Sequence, residues 1–304
     1  MKERGRKLEI LDNEIICMYK TVEQAISTSL FFHNHDGYEL LILLDGELDL
    51  YWDGGGRKLT RGDLACIAPY AFHGAVLQTP GCYDRICINI RESFLPLLSS
   101  DRTDFVPLFS GQVKGEPNWQ HFSDEELGRL VPLTRRLQQA LEGQEWGDDL
   151  LSQALLTELL ILIGRHSGIT DISRQPCIMP DLVTHTFAYI NSHLTEEISL
   201  DSLAASVHHN SSYIGRCFKK ITGTTVNQYI ILKRVALAQQ YLREGRSLSE
   251  VCYMAGFQNY SHFSRTFRAH TGLSPRQYQT EYAAHFDSYK IVISKSRAGK
   301  KNML

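Results

Sequence analysis

Residues 251–274 read VCYMAGFQNYSHFSRTFRAHTGLS, and residues 203–225 read LAASVHHNSSYIGRCFKKITGTT. The second stretch is a version of the first. Arg216 and Arg265, Phe218 and Phe267, and Gly223 and Gly272 correspond at an offset of 49, while Ala204 and Cys252 correspond at 48. The later copy therefore carries one extra residue in its turn. Two copies at this period are too few for a solenoid. Each reads as a short helix, a turn and a second helix. The first helix starts at Ser199-Leu200 or Ser247-Leu248, and the turn falls at His208-His209 or Gly256-Phe257. The second helix opens at Asn210 or Asn259, whose short polar side chains suit a helix N-terminus. Ile214 with Phe218, and Phe263 with Phe267, are four residues apart and mark a buried face. Gly223 and Gly272 stand where a helix end turns left-handed. This is helix–turn–helix geometry, in which the second helix enters the DNA major groove.

The buried face fixes the outward one. Ser212, Gly215 and Arg216 in the first copy, and Ser261, His262 and Arg265 in the second, point toward DNA. Lys219, Lys220 and Arg268 lie at the helix ends and suit phosphates. An Arg reaching guanine O6 and N7 contributes about 1–3 kcal/mol of base discrimination. The alternative for Arg216 and Arg265 is a salt bridge inside the domain. Gly215 offers no side chain, so the first helix is expected to read few bases. Between the copies, TVNQYIILKRVALAQQYLREG continues as one helical pattern. Its residues 225–242 would span about 27 Å at ~1.5 Å each. That approaches the ~34 Å between successive major grooves on one DNA face.

Charge divides the chain in the same place. From residue 180 onward there are 15 Lys and Arg against 8 Asp and Glu, a net +7, and the remainder carries 17 against 26, a net −9. A basic C-terminal third on an acidic body suits a polyanionic partner. Seven scattered cysteines, an odd number with no C-x-x-C pair, fit reduced thiols in a cytoplasm rather than a disulfide framework. No apolar run is long enough to span a membrane. The start MKERGRKLEILDNE turns acidic before any apolar run and does not read as a signal peptide.

Residues 8–90 read as strands: LILLDGELDLYWDGGGRKL breaks at Asp45-Gly46 and at Asp53–Gly56, as hairpins do, and GDLACIAP and YDRICINI follow. Many short strands at close spacing point to a sandwich or small barrel. Over residues 123–168 the period becomes helical, with Ser123 and Glu126 spaced as a capping box. The segment DDLLSQALLTELLILIGRHSG is apolar on more than one face, so it is either deeply buried or paired with a partner helix. ITDISRQPCIMP, residues 169–180, has two prolines and no period and reads as a linker.

The stretch SLSEVCYMAGFQNYSHFSRTFRAHTGLSPRQY resembles the signature of the AraC/XylS family of transcription factors. Val251, Cys252, Gly256, Phe257, Phe263, Ser264, Arg265, Phe267, Gly272, Ser274, Pro275 and Tyr278 fill its pattern, with Cys252 in place of the usual alanine. The resemblance covers about 100 residues. It implies a non-enzymatic regulator that binds double-stranded promoter DNA, contacts RNA polymerase, commonly dimerises, and answers to a small-molecule effector through its N-terminal domain, a sugar being the family-level expectation. In FFHNHDGYELLILLDG, residues 31–46, the spacing H-x-H-x3-E-x6-G, followed by Gly62, Pro69 and His73, resembles the two motifs of the cupin barrel. Carried over, His33, His35, Glu39 and His73 stand on metal-ligand positions. Three imidazoles and a carboxylate suit a transition-metal ion, and alternation puts His33 and His35 on one strand face. Three readings remain: a metal-free effector pocket, a divalent metal that assists effector binding, and a metal-dependent cupin enzyme with an appended DNA-binding domain. A barrel that only dimerises is a fourth. Nearby aromatics, Tyr38 and Trp52 among them, suit stacking on a sugar ring.

The expected architecture is an α+β two-domain chain. It has a cupin-like β-barrel at 1–120, a helical dimerisation or packing segment at 121–170, a linker at 171–180, an all-α DNA-binding domain with two helix–turn–helix units joined by a long helix at 181–285, and a basic tail at 286–304.

Overall fold

The computed structural model describes residues 14–25, 32–77, 81–111, 115–166 and 177–282. The expected tail at 286–304 and most of the linker lie outside them. The chain divides into two compact units, residues 1–184 with 221–223 and residues 185–220 with 224–304.

Among the described residues, the first unit has eight strands: β1 (Ile15–Ala25), β2 (Gly37–Asp45), β3 (Leu48–Trp52), β4 (Gly55–Leu59), β5 (Asp63–Ile67), β6 (His73–Val76), β7 (Gly81–Arg91) and β8 (Asn118–His121). They form a five-stranded sheet, β1-β7-β2-β5-β8, and a three-stranded sheet, β4-β3-β6. The sheets face one another across Leu41, Leu43, Ala65, Ile67 and Cys87 on one side and Leu48, Leu50 and Leu59 on the other. An isolated antiparallel bridge between His33 and His73 ties the segment before β2 to the smaller sheet.

The larger sheet is buried on its outer face too. Tyr38, Leu40, Ile42, Leu44, Ile86, Ile88 and Ile90 pack there against Leu127, Leu130, Leu133 and Leu137 of α2 (Asp124–Glu142) and Leu155, Leu156, Leu159 and Leu160 of α3 (Asp148–Arg165). Strand β2 is buried at eight consecutive positions for this reason. Ser123 and Glu126 form the expected capping box at the start of α2. α3 buries one face on the sheet, while Leu150 and Leu151 near its start, with Trp146 just before it, are exposed. No helix among the described residues is long and apolar enough to cross a membrane.

The second unit is helical. It comprises most of α4 (Asp181–Ser192), then α5 (Leu200–Ser206), α6 (Ser211–Thr222), α7 (Val226–Arg243), α8 (Leu248–Met254) and α9 (Tyr260–Thr271), with a further helical stretch at 275–282. The repeat has its expected form. Ser199 and Ser247 cap α5 and α8 through capping boxes, and the Asn259 side chain accepts from the His262 N–H at the start of α9. Ile214, Phe218, Phe263 and Phe267 are buried, and Gly223 and Gly272 take positive φ at the helix ends.

The two turns reach the same left-handed conformation with different residues: His208 at φ 54° and Gly256 at φ 83°. A non-glycine residue there carries about 1–2 kcal/mol of strain. His208→Gly is therefore expected to leave stability unchanged or to raise it by up to about 1 kcal/mol. Gly256→Ala should cost on the order of 3 kcal/mol, because the added Cβ would also meet the Leu194 carbonyl oxygen at 2.7 Å and Thr195 Cα at 2.9 Å, both backbone atoms. Urea midpoints of the two variants check the asymmetry. A loss on His208→Gly as large as that on Gly256→Ala would refute it.

Candidate functional site

Two places gather chemistry, one in each unit. The first is at one end of the space between the sheets. Alternation along β2 aims Glu39, Leu41 and Leu43 inward, and the β6 and β3 register places His73 opposite Trp52. His33, His35, Glu39 and His73 come together with one ligand atom from each inside a 4.8 Å cluster. The spacing in the sequence had paired these four, and the fold does bring them to one point.

Glu39 is the centre of the cluster. Its Oε2 lies 2.7 Å from His35 Nε2 and 3.1 Å from His73 Nε2. Burial alone would raise the Glu39 pKa, but hydrogen bonds and charge from His35 and His73 override it and hold the carboxylate well below its usual range. Burial likewise opposes charge on His35, yet the Glu39 hydrogen bond and charge, with smaller help from the Gly37 carbonyl and Asp36, raise it above the ordinary imidazole value. The far nitrogens of both rings are committed. His35 Nδ1 donates to the Gly37 carbonyl at 2.8 Å and His73 Nδ1 to the Ala71 carbonyl at 2.9 Å. With Nδ1 protonated, a neutral ring presents a bare Nε2 lone pair to the carboxylate. Lone pair against carboxylate is repulsive, so a proton or a metal cation must lie between them. A ring nitrogen fixed by a backbone carbonyl is also how metal-binding histidines are oriented.

Strand β7 adds two residues that no motif in the sequence marked. Asn89 pairs with Glu39 across the ladder and faces the same way. It is buried, and its Oδ1 has no hydrogen-bond partner among the described residues. Cys87, one step deeper, hydrogen-bonds Glu39; burial first, and the Glu39 charge second, push its thiol up to about 12. A thiol so protonated is no nucleophile. Trp52 stands opposite His73 in the β3–β6 register, its ring 5.5 Å from that of Trp119, and the Arg57 guanidinium lies 4.8 Å from the Trp119 ring.

Tyr38 corrects the sequence reading. It lies on the opposite face of β2 from Glu39, buried under the helices with its ring 4.7 Å from Phe109. It cannot stack on anything held by the cluster. Period-two alternation separates residues 38 and 39, and because both faces of β2 are buried, burial pattern does not reveal which is the inner one.

The second place is the outward face of α6 and α9. Ser212, Arg216, Lys219 and Lys220 are exposed on α6, and Ser261, His262, Arg265 and Arg268 on α9. Gly215 is half-buried, and an added Cβ would meet nothing within 4 Å. Neither Arg216 nor Arg265 forms an ion pair among the described residues; Arg265 Nε donates only to the Ser261 carbonyl, at 3.3 Å. Both guanidinium groups thus face solvent with most donors available.

Known proteins match both places. Residues 24–160 match the family described as an AraC-like ligand binding domain, and residues 203–281 one described as a helix-turn-helix domain. The chain is 27% identical over 264 residues to a probable transcriptional regulator, LumQ, of Photobacterium leiognathi, covering 84% of this chain and 94% of that one. It is 25% identical over 266 residues to the HTH-type transcriptional activator RhaR of Escherichia coli O139:H28 (strain E24377A / ETEC), covering 85% and 88%. Among solved structures, fatty-acid-bound ToxT of Vibrio cholerae strain SCE256 aligns at 12% identity with a TM-score of 0.38, covering 87% of this chain and 94% of that one. A ligand-binding domain over the strands, a helix-turn-helix domain over the repeat, and regulators aligned along most of their length together place this chain in the AraC family of transcriptional regulators.

Proposed function

We propose that the first unit binds a small effector at His33, His35, Glu39 and His73, with Asn89 and Trp52 beside them, and that the second reads promoter DNA through α6 and α9. The observation that carries the effector half is the buried Glu39 carboxylate shared by two imidazoles, with the Asn89 acceptor next to it. Such acceptors suit the hydroxyls of a sugar or related polyol, and Trp52 supplies an apolar wall. In the DNA half, Arg265 reads a base edge, Arg216 does so from α6, and Lys219, Lys220 and Arg268 meet phosphates. The exposed Trp146, Leu150 and Leu151 support a homodimer formed through the helical segment.

One observation favours a second reading, in which a divalent metal assists the effector. Both Nδ1 atoms donate to carbonyls, which leaves two Nε2 lone pairs aimed at one carboxylate oxygen. The donor set fits zinc, nickel, cobalt, iron or manganese. A bound ion would offer a Lewis-acidic point for effector oxygens, while Glu39 and the histidines orient it.

Thermal unfolding of the full chain against a panel of sugars and polyols, with and without Zn²⁺, Ni²⁺ and Mn²⁺, tests both. A ligand at ~100 times its dissociation constant adds about 2.7 kcal/mol, a rise of several degrees for the domain that holds it. A shift with one polyol and no metal supports the metal-free pocket. A shift that requires metal supports the second reading. No shift with any ligand or metal refutes both.

A further inference from the structure

Helix α7 serves two cores. Its first half gives Val226, Tyr229 and Ile230 to the buried interior of the first helix–turn–helix, where the Phe187, Phe218 and Tyr229 rings lie 5.0–5.4 Å apart. Its second half gives Val235, Ala238 and Leu242 to the core of the second, with Val251, Cys252, Phe263 and Phe267. Arg234 sits where the helix passes from one to the other. Its Nε donates to the Leu194 carbonyl at 2.9 Å and its Nη2 to the Glu196 carbonyl at 2.6 Å. Those carbonyls belong to the segment between α4 and α5 that leads into the first helix–turn–helix. Gly256, in the turn of the second, presses on the same spot: a Cβ there would lie 2.7 Å from the Leu194 oxygen and 2.9 Å from Arg234 Nε.

From the shared helix, one guanidinium therefore bonds the approach to the first helix–turn–helix and lies against the turn of the second. No carboxylate pairs with it among the described residues. Its rigid fork suits two carbonyls held in fixed positions, as an ammonium group would not. Without it, each core keeps its own apolar contacts, but the two hydrogen bonds that tie residues 194–196 to the shared helix beside the Gly256 turn are lost.

We propose that Arg234 is a positioning residue that locks the two helix–turn–helix units in one mutual geometry and so sets the spacing of DNA half-sites that the protein occupies together. This rests on the reading that α6 and α9 both enter DNA. Two rigidly joined readers gain from effective concentration only at the spacing that fits them both, and a loose joint spreads that gain over several spacings.

The test uses the full chain and a duplex that wild-type protein selects from a random-sequence library. Derivatives carry one to three base pairs added or removed between the half-sites, or one half-site alone. Wild type should prefer its selected spacing by at least about tenfold, and Arg234→Met should flatten that preference to under about threefold while keeping single-half-site affinity within about twofold. General destabilisation lowers all affinities together and does not flatten a spacing profile. If circular dichroism shows Arg234→Met unfolded, Arg234→Lys, which keeps the charge and stem, carries the same expectation. A folded variant of either kind with the wild-type spacing profile overturns the proposal. A wild-type footprint over one half-site only would instead overturn the two-helix reading on which it rests.

Discussion

Arg265→Ala is expected to erase the protein's preference for its operator while leaving its general affinity for duplex DNA in place. The reason is where the charge sits. Arg265 lies mid-helix on the exposed face of α9, between the buried Phe263 and Phe267, with no acidic partner among the described residues. In the proposed docking, a side chain so placed would reach groove-facing base edges, and Lys219, Lys220 and Arg268, nearer the helix ends, would reach the backbone. Losing one bidentate base contact costs about 1–3 kcal/mol, roughly 5- to 150-fold in the ratio of specific to nonspecific binding. The slope of affinity against salt should barely change, because no phosphate contact is lost. Titrating operator and scrambled duplexes at several salt concentrations decides it. Retained selectivity would remove Arg265 from the reading face. A parallel fall on both duplexes with a shallower slope would make it a phosphate contact.

Two substitutions at Glu39 should part widely in the other unit. Glu39→Ala leaves a cavity and strips both imidazoles of their shared partner, and removing one member of a buried charged group costs about 3–5 kcal/mol. Glu39→Gln behaves differently. If the amide nitrogen takes the place of Oε2, its two N–H groups can donate to the two Nε2 lone pairs that the Nδ1–carbonyl bonds leave bare. The Gln variant should therefore fold within about 1 kcal/mol of wild type and yet lose any metal response, because a neutral amide is a far poorer metal ligand than a carboxylate. Calorimetry of the unfolding transition, with and without Zn²⁺, checks both halves. Equal losses for Ala and Gln would mean that the Gln amide does not take up the two Nε2 lone pairs.

Much of this molecule is written locally. The two helix–turn–helix units follow from spacing within about twenty residues: caps at Ser247 and Asn259, apolar residues four apart at Phe263 and Phe267, and a left-handed glycine at 272. Helix α7 runs from Val226 to Arg243, one residue on from the stretch 225–242 read as continuous. The His-x-His-x3-Glu spacing also survives folding, because alternation along a strand keeps its members on one side. The short strand β8, with no turn signal to announce it, and the helical turns at Leu95–Leu98 and Val106–Phe109 were not legible.

The sequence by itself determined the helices of the repeat, their buried and exposed faces, the change from strands to helices near residue 121, and the membership of the His–Glu cluster. All of these depend on neighbours a few positions apart. Tertiary structure alone decided the rest. It turned Tyr38 away from the cluster, because burial of β2 between a facing sheet and two helices leaves no polar face to read. It brought Asn89 and Cys87 to Glu39 from some fifty residues away through strand pairing. It also made Arg234, outwardly one more cation on a basic helix, the meeting point of backbone at 194–196 and 256. Which distant segments meet is set by how the whole chain packs, and no local periodicity encodes it.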